Sequence, residues 1–134
     1  MCLRIVPKAD LTEEQLRYIG ERVSAPEHVD DAGPPTVWKI YLDGGLYAVI
    51  DGDSNTPVGI IEVSGLPDLV KPGWWLDSRV RGKGLGNKMV DVLAKYLKKL
   101  GFTGVGNIPI QTRNQVYDKA SSALAKRFRA HFGA

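Results

Sequence analysis

Cysteine is nearly absent: Cys2, beside the start, is the only one among 134 residues. A disulfide framework is therefore excluded, and a reducing compartment fits. Long apolar runs are missing too. No stretch is long enough to span a bilayer, and no basic-then-apolar leader opens the chain. There is no internal repeat and no low-complexity tract. Excess charge is small, with a net +3 at neutral pH. That suits an anionic ligand but is too little to argue for nucleic acid by itself. These absences leave the expectation of a cytoplasmic protein with no membrane segment, folded as a single domain over residues 1–134. With 43% hydrophobic and 25% charged residues, the chain has enough apolar mass for one core.

Leu3 to Val6 is a short apolar run stopped by Pro7 and predicts a first strand. Thr12-Glu13-Glu14-Gln15 is a capping-box pattern. Leu16, Ile19 and Val23 follow at helical spacing, so a first helix runs to about Ser24 and Pro26 ends it. Pro26 to Pro35 is rich in breakers and acids and reads as a loop. Asp43-Gly44-Gly45 signals a turn. Leu46 to Ile50 and Val58 to Val63 read as strands, joined by the turn-forming Asp51 to Pro57. Val37 to Leu42 fits either a strand or the end of a helix. "GLPDLVKPG" reads as a loop and Gly73 to Asp77 as a further strand. An apolar stripe of Leu85, Met89, Val92, Leu93, Tyr96, Leu97 and Leu100, opposite Lys88, Asp91, Lys95, Lys98 and Lys99, predicts an amphipathic helix ended by Gly101. Phe102 to Ile110 reads as one more strand. Ala120, Leu124, Phe128 and Phe132 step by four and imply a last helix. The order is that of a mixed α/β domain with a strand–helix–strand crossover through Leu85 to Leu100.

Directly before that long helix stands Arg81-Gly82-Lys83-Gly84-Leu85-Gly86. A helix start leaves its first backbone N–H groups without internal partners, and the dipole adds positive potential there. A preceding loop free of side-chain bulk lets an anion approach those groups, and Arg81 and Lys83 add full charges. The stretch therefore suits a phosphate or pyrophosphate. The plain alternative is a glycine-rich turn with both cations solvated. The Walker pattern fails, because Gly86 is followed by Asn87-Lys88 rather than Lys-Ser/Thr. The dinucleotide fingerprint fails on spacing and on its late position in the chain.

The pattern R/Q-x-x-G-x-G/A does fit residues Arg81 to Gly86, and it resembles the pyrophosphate loop of the GNAT superfamily of N-acetyltransferases. The preceding "GWWLDS" resembles that family's fourth strand. "GNKMVDVLAKYLKKLGF" resembles its long helix, and "LYAVIDGDSNTPVGIIEVSG" its central hairpin. The resemblance implies a GNAT-like α/β fold: a mixed, mostly antiparallel sheet flanked by helices. The family's last two strands find no counterpart before Ala134. An uncovered edge on the Phe102–Ile110 strand would invite pairing, which predicts a homodimer.

The implied activity is transfer of an acetyl group from acetyl-CoA to a primary amine, by direct attack in a ternary complex. The amine acceptor, small molecule or protein, is not specified. Arg81, Gly82, Lys83, Gly84, Leu85 and Gly86 are expected at the pyrophosphate, and Leu76 and Asp77 beside the pantetheine arm. Asn114 precedes the last helix, where the family often has an Asn near the cofactor, or it simply caps that helix. An alkyl amine, with a pKa near ~10, must lose a proton before it attacks, so a base helps. Glu62 is the one acid inside the apolar run "GIIEVSG" and is the first candidate; exposure to solvent is its bland reading. Asp68 and His28 are the second and third, His28 with simple exposure as its alternative. Tyr117 is the candidate acid for the departing thiolate, although the spacing from Asn114 departs from the family's usual pattern; core packing is its alternative. Two other classes remain: a CoA-binding regulatory module without catalysis, and a nucleic-acid binder using Lys126, Arg127, Arg129 and His131. For the latter, the plain reading is an exposed basic face beside the Phe128–Phe132 stripe.

Overall fold

The computed structural model describes residues 2–44, 46–106 and 119–133. The element order is β1 (Leu3–Pro7), α1 (Glu13–Val23), α2 (Thr36–Asp43), β2 (Tyr47–Asp51), β3 (Thr56–Leu66), β4 (Leu69–Leu76), α3 (Leu85–Lys99) and α4 (Lys119–Ala130). The strands form one antiparallel sheet in the order β1-β2-β3-β4. Short 3-10 turns at Lys8–Asp10, Pro26–His28 and Ser78–Val80 join the elements.

Strand alternation sends side chains to two cores. On one face Val49, Ile61 and Val70 pack against Leu85, Met89, Leu93 and Leu97 of α3 and Phe128 of α4. On the other, Ala48, Ile50, Ile60 and Trp75 pack against Ile19 and Val23 of α1 and Tyr41 of α2. Each fully buried aliphatic side chain contributes about 2 kcal/mol. The sheet is thus sandwiched, with α3 and α4 on one side and α1 and α2 on the other.

Several expectations are met in detail. Thr12 accepts from the Gln15 N–H at 3.1 Å while the Gln15 side chain accepts from the Thr12 N–H at 3.0 Å, a complete capping box. Gly101, at φ +97°, follows the end of α3. The α3 stripe is turned slightly from the expected one: Val90 and Ala94 are buried, whereas Leu100 is 53% exposed. Val37 to Leu42 lies within a helix, α2. The segment "GLPDLVKPG" is not a loop. Leu66 pairs directly with Leu69 across the two residues Pro67 and Asp68, so β3 and β4 form one long hairpin and β4 begins at Leu69.

Pro72 is tolerated inside β4 for a reason of phase. The Asp77 N–H donates to Val58 O at 2.8 Å, so residues 58 and 77 are a hydrogen-bonded pair. Alternation then turns the backbone groups of residues 70, 72, 74 and 76 away from β3. Pro72 lacks an N–H only on that outer edge. Val70 uses the edge fully: its N–H donates to Gly104 O at 3.0 Å, and its carbonyl accepts from Gly106 N–H at 2.8 Å. This makes a parallel bridge between Val70 and Val105, the crossover foreseen through α3. The remainder of the strand expected to reach Ile110 lies outside the described residues.

Candidate active site

Beyond Val70 the outer edge of β4 is open to a cavity of about 950 Å³. Pro72 cannot donate to a neighbouring strand, so regular parallel pairing is weakened there. Trp74 and Leu76, whose backbone groups face this edge, line the cavity. Its far wall is Arg81, Gly82, Gly84 and Gly86 with the first turn of α3, including Asn87. Its near wall is Glu62 with the first turns of α2.

The glycine loop is built by backbone conformation. Gly82 and Gly84 hold φ +77° and +73°, a left-handed region that glycine enters without steric cost. A Cβ added at either position would meet nothing within 4 Å, so the space outside the loop is open. Gly84 is the N-cap of α3 and carries no side chain to accept from the first turn; no acid stands in that turn. Gly86 has a different task. A Cβ there would lie 3.2 Å from Leu124 Cδ2, so its absence lets α4 cross close over the start of α3. Open amides, an uncompensated dipole and two neighbouring cations fit a pyrophosphate.

The loop is anchored from upstream by a buried cluster. Asp77 is only 3% exposed. Arg22 of α1 grips it in a fork, Nε donating to Oδ2 at 2.8 Å and Nη2 to Oδ1 at 2.9 Å. Nη2 also reaches Glu27 Oε1 at 2.7 Å. Asp77 accepts the Arg79 N–H at 3.1 Å and so caps the turn Ser78–Val80. His28 joins the same knot. Its Nε2 accepts the Ser78 N–H at 3.1 Å, which leaves Nδ1 to donate to Arg22 O at 2.5 Å. The ring also stands edge-on to Trp75 at 4.9 Å. Burial pushes the Asp77 carboxyl upward, but the Arg22 guanidinium and the Arg79 N–H outweigh it and hold the group below the usual carboxylate range. The fork on Asp77 raises Arg22 above an already high value.

The expected site residues divide as follows. Leu76, Arg81, Gly82, Gly84, Gly86 and Glu62 all line the cavity. Arg81 Nε donates to Leu76 O at 2.8 Å, folding back on the open edge. Lys83 is exposed just outside. Leu85 is buried in the α3 core at 3% exposure. The Asp77 side chain faces Arg22 rather than the cavity, and its N–H is taken by Val58. Asp68 is exposed in the β3–β4 turn and is not among the residues that line the cavity. His28, expected at the surface as its bland alternative, is buried at 8% exposure because it bridges Arg22 O and Ser78 N–H. Asn114 and Tyr117 lie outside the described residues.

Arg22 belongs to none of the motifs in the sequence. Its signal was present: it follows Ile19 by three and precedes Val23 by one, so it is a cation on the inward face of α1. The basic run near the chain's end also takes a clear role. Arg127 donates to both Asp91 oxygens at 2.8 and 2.7 Å, and His131 Nε2 lies 2.6 Å from Oδ1. Lys98 of α3 sits over the Phe132 ring, 5.4 Å from its centroid. These contacts staple α4 to α3: Phe128 lies in the core as the stripe implies, but Arg127 and His131 pair with Asp91 instead of forming a merely solvated face. The Arg127 and His131 bonds hold the Asp91 carboxyl far below its ordinary range. Among the described residues no helix is long and apolar enough to cross a membrane.

Comparison with known proteins agrees with this geometry. The model of the acetyltransferase (GNAT) family matches residues 11–119. No curated protein matches the chain. Among solved structures, an aminoglycoside acetyltransferase in complex with coenzyme A superposes with a TM-score of 0.62 at 15% identity, covering 94% of this chain and 82% of that one. The ribosomal-protein-S18-alanine N-acetyltransferase from Escherichia coli gives 0.59 at 15% identity, covering 92% and 74%. An acetyltransferase from Agrobacterium tumefaciens gives 0.57 at 19% identity, covering 93% and 78%. With a family match over most of its length and a sheet of the same architecture, the chain belongs to the GNAT family of acetyltransferases, whose cosubstrate is acetyl-CoA.

Proposed function

We propose that the protein is an N-acetyltransferase that acetylates a primary amine while acetyl-CoA and amine are bound together, with Glu62 as the general base. The observation that carries this reading is the single cavity running from the Glu62 carboxylate, past the outward edge of β4, to the uncapped start of α3. Glu62 pairs across the sheet with Gly73. A Cβ at position 73 would lie 3.4 Å from Glu62 Oε2, so the glycine leaves the carboxylate room to lie over β4.

When bound, acetyl-CoA supplies the acyl group as a thioester. In this proposal Arg81, Lys83 and the amides from Gly82 to Gly86 hold its pyrophosphate, with Leu85 contributing only backbone. The outward backbone groups of Trp74 and the Leu76 N–H pair with the extended pantetheine arm, as one strand pairs with another, while the Leu76 carbonyl is held by Arg81. Asp77 positions the loop through Arg22 and the turn at Ser78, and does not touch the arm with its side chain. Glu62 accepts a proton from the ammonium, directly or through one water. Asn114 and Tyr117 keep the roles that the family resemblance gives them, cofactor contact and proton donor to the departing sulfur. The acceptors named for two of the similar structures, an aminoglycoside in one and an alanine of ribosomal protein S18 in another, are both compatible with an amine.

Glu62→Gln tests the assignment. It keeps size and hydrogen bonding but cannot take the proton. The expected result is a fall in kcat/KM of about 100-fold at neutral pH. The deficit should shrink toward pH ~10, where the free amine no longer needs a base. Full activity of the variant at every pH would move the base elsewhere.

A further inference from the structure

The acceptor end of the cavity has a composition of its own. Strand phase puts Ile60, Glu62, Gly73 and Trp75 on the face that α1 and α2 cover. There, Thr36, Val37 and Ile40 present one side of α2 to the cavity, preceded by Pro35. Among the described lining residues Glu62 is the one acid, and the one cation, Arg81, stands at the opposite, glycine-loop end. The acids of the preceding loop, Asp30 and Asp31, are not part of the lining. Trp75 is held by the edge of His28.

Resting on the acetyl-transfer reading above, we infer that the acceptor is a primary monoamine: one cationic centre, seated against Glu62, on an apolar body that lies against α2. The described residues of this wall carry one carboxylate, and one carboxylate can neutralise one ammonium. A second ammonium would be drawn from water against Val37 and Ile40 with no partner, and an unpaired charge is costly to bury. An apolar body gains from the same surface. In the transfer, the amine loses one proton to Glu62 and forms a C–N bond as the thioester C–S bond breaks. A second proton leaves the nitrogen; of the two, one ends on the sulfur and one in solvent.

The test sets phenethylamine against 1,5-diaminopentane, with acetyl-CoA and free-thiol release as the readout. The expected preference in kcat/KM is about tenfold or more for the monoamine. Ile40→Glu adds a second carboxylate beside the first and should reduce or reverse that ratio. Equal or better use of the diamine by the wild-type protein overturns the inference while leaving acetyl transfer intact. Calorimetry of both amines with the CoA-saturated wild-type protein reads the same preference without turnover. Selective heat from phenethylamine with no thiol released from any amine would sustain the pocket and remove Glu62 as a base. No heat and no thiol from either amine would overturn both.

Discussion

At the start of α1, Thr12 and Gln15 satisfy each other's backbone N–H groups, and Glu13 and Glu14 face the positive end of the helix dipole. At the start of α3, Gly84 offers no side chain and the first turn carries no acid. Each device is worth about 1 kcal/mol to a helix. α3 does without both, although it is the longest helix described. Its stability comes from elsewhere, through Leu85, Met89, Leu93 and Leu97 in the core. The contrast separates a helix end that is finished internally from one that leaves its donors for something else. The start of α2 is not a second case of the kind: it lacks a side-chain cap, but its Trp38 N–H donates to Pro35 O at 2.9 Å. At α3, backbone φ values of +77° and +73° at Gly82 and Gly84 hold an open loop against those donors.

The two helices are physically joined, because Arg22 near the end of α1 grips Asp77 just upstream of the glycine loop. Cutting that link should have the largest effect. Arg22→Ala leaves Asp77 buried without its counter-charge, and breaking a buried pair costs about 3–5 kcal/mol. Urea denaturation would read the loss; a change below about 1 kcal/mol would mean that the pair does not anchor the loop. The pH dependence carries a second signature. The folded pKa of Asp77 is lowered, so its contribution is fully present above the unfolded value near ~4 and drains away as pH falls through the lower folded value. Arg22→Ala should therefore flatten the part of the acid-side decline, below pH about 4, that Asp77 contributes.

Gly84→Glu attacks the open helix start itself. It forces a side chain into a left-handed conformation, at about 1–2 kcal/mol, and puts a carboxylate where the pyrophosphate is proposed to lie. Calorimetry should show CoA affinity falling at least ~100-fold, about 3 kcal/mol, while circular dichroism keeps the helical signal. Unchanged affinity would leave the uncapped start without a ligand and remove its contrast with α1.

What could be read in advance was local. Thr12 to Gln15, the α3 stripe and Gly101 each carry their message within a few residues, and all were legible. The glycine loop was legible because backbone freedom, cations and a helix start are adjacent in the chain. Val37 to Leu42 was not resolved, because a short apolar run suits either period. The middle of the β3–β4 hairpin, Gly65 to Gly73, reads as a loop because Gly65, Pro67, Pro72 and Gly73 look like breakers; only the pairing phase shows that Pro72 faces an edge where no N–H is needed. The Arg22–Asp77 fork spans 55 positions, and no local pattern encodes such a partner. For the same reason His28 could not be told from an exposed loop histidine, nor could Gly73 be seen to face Glu62.

The smallest expected effect is the sharpest control on the comparison. Thr12→Ala removes the acceptor of the Gln15 N–H and opens the start of α1. The loss should be about 1 kcal/mol, seen as a lower urea midpoint with an unchanged slope. Gln15 keeps a separate tie, since its Nε2 donates to the Asn55 carbonyl at 3.0 Å, so α1 stays docked on the β2–β3 turn. Thr12 does not line the cavity, and CoA affinity should stay within error of the wild type. Gly84→Glu and Thr12→Ala then separate on the ligand: both lose a little stability, but the first also loses CoA and the second keeps it. If Thr12→Ala weakened CoA binding as much as it weakened the fold, the two helix starts would be coupled, and the absence of a cap at Gly84 would no longer mark a binding site.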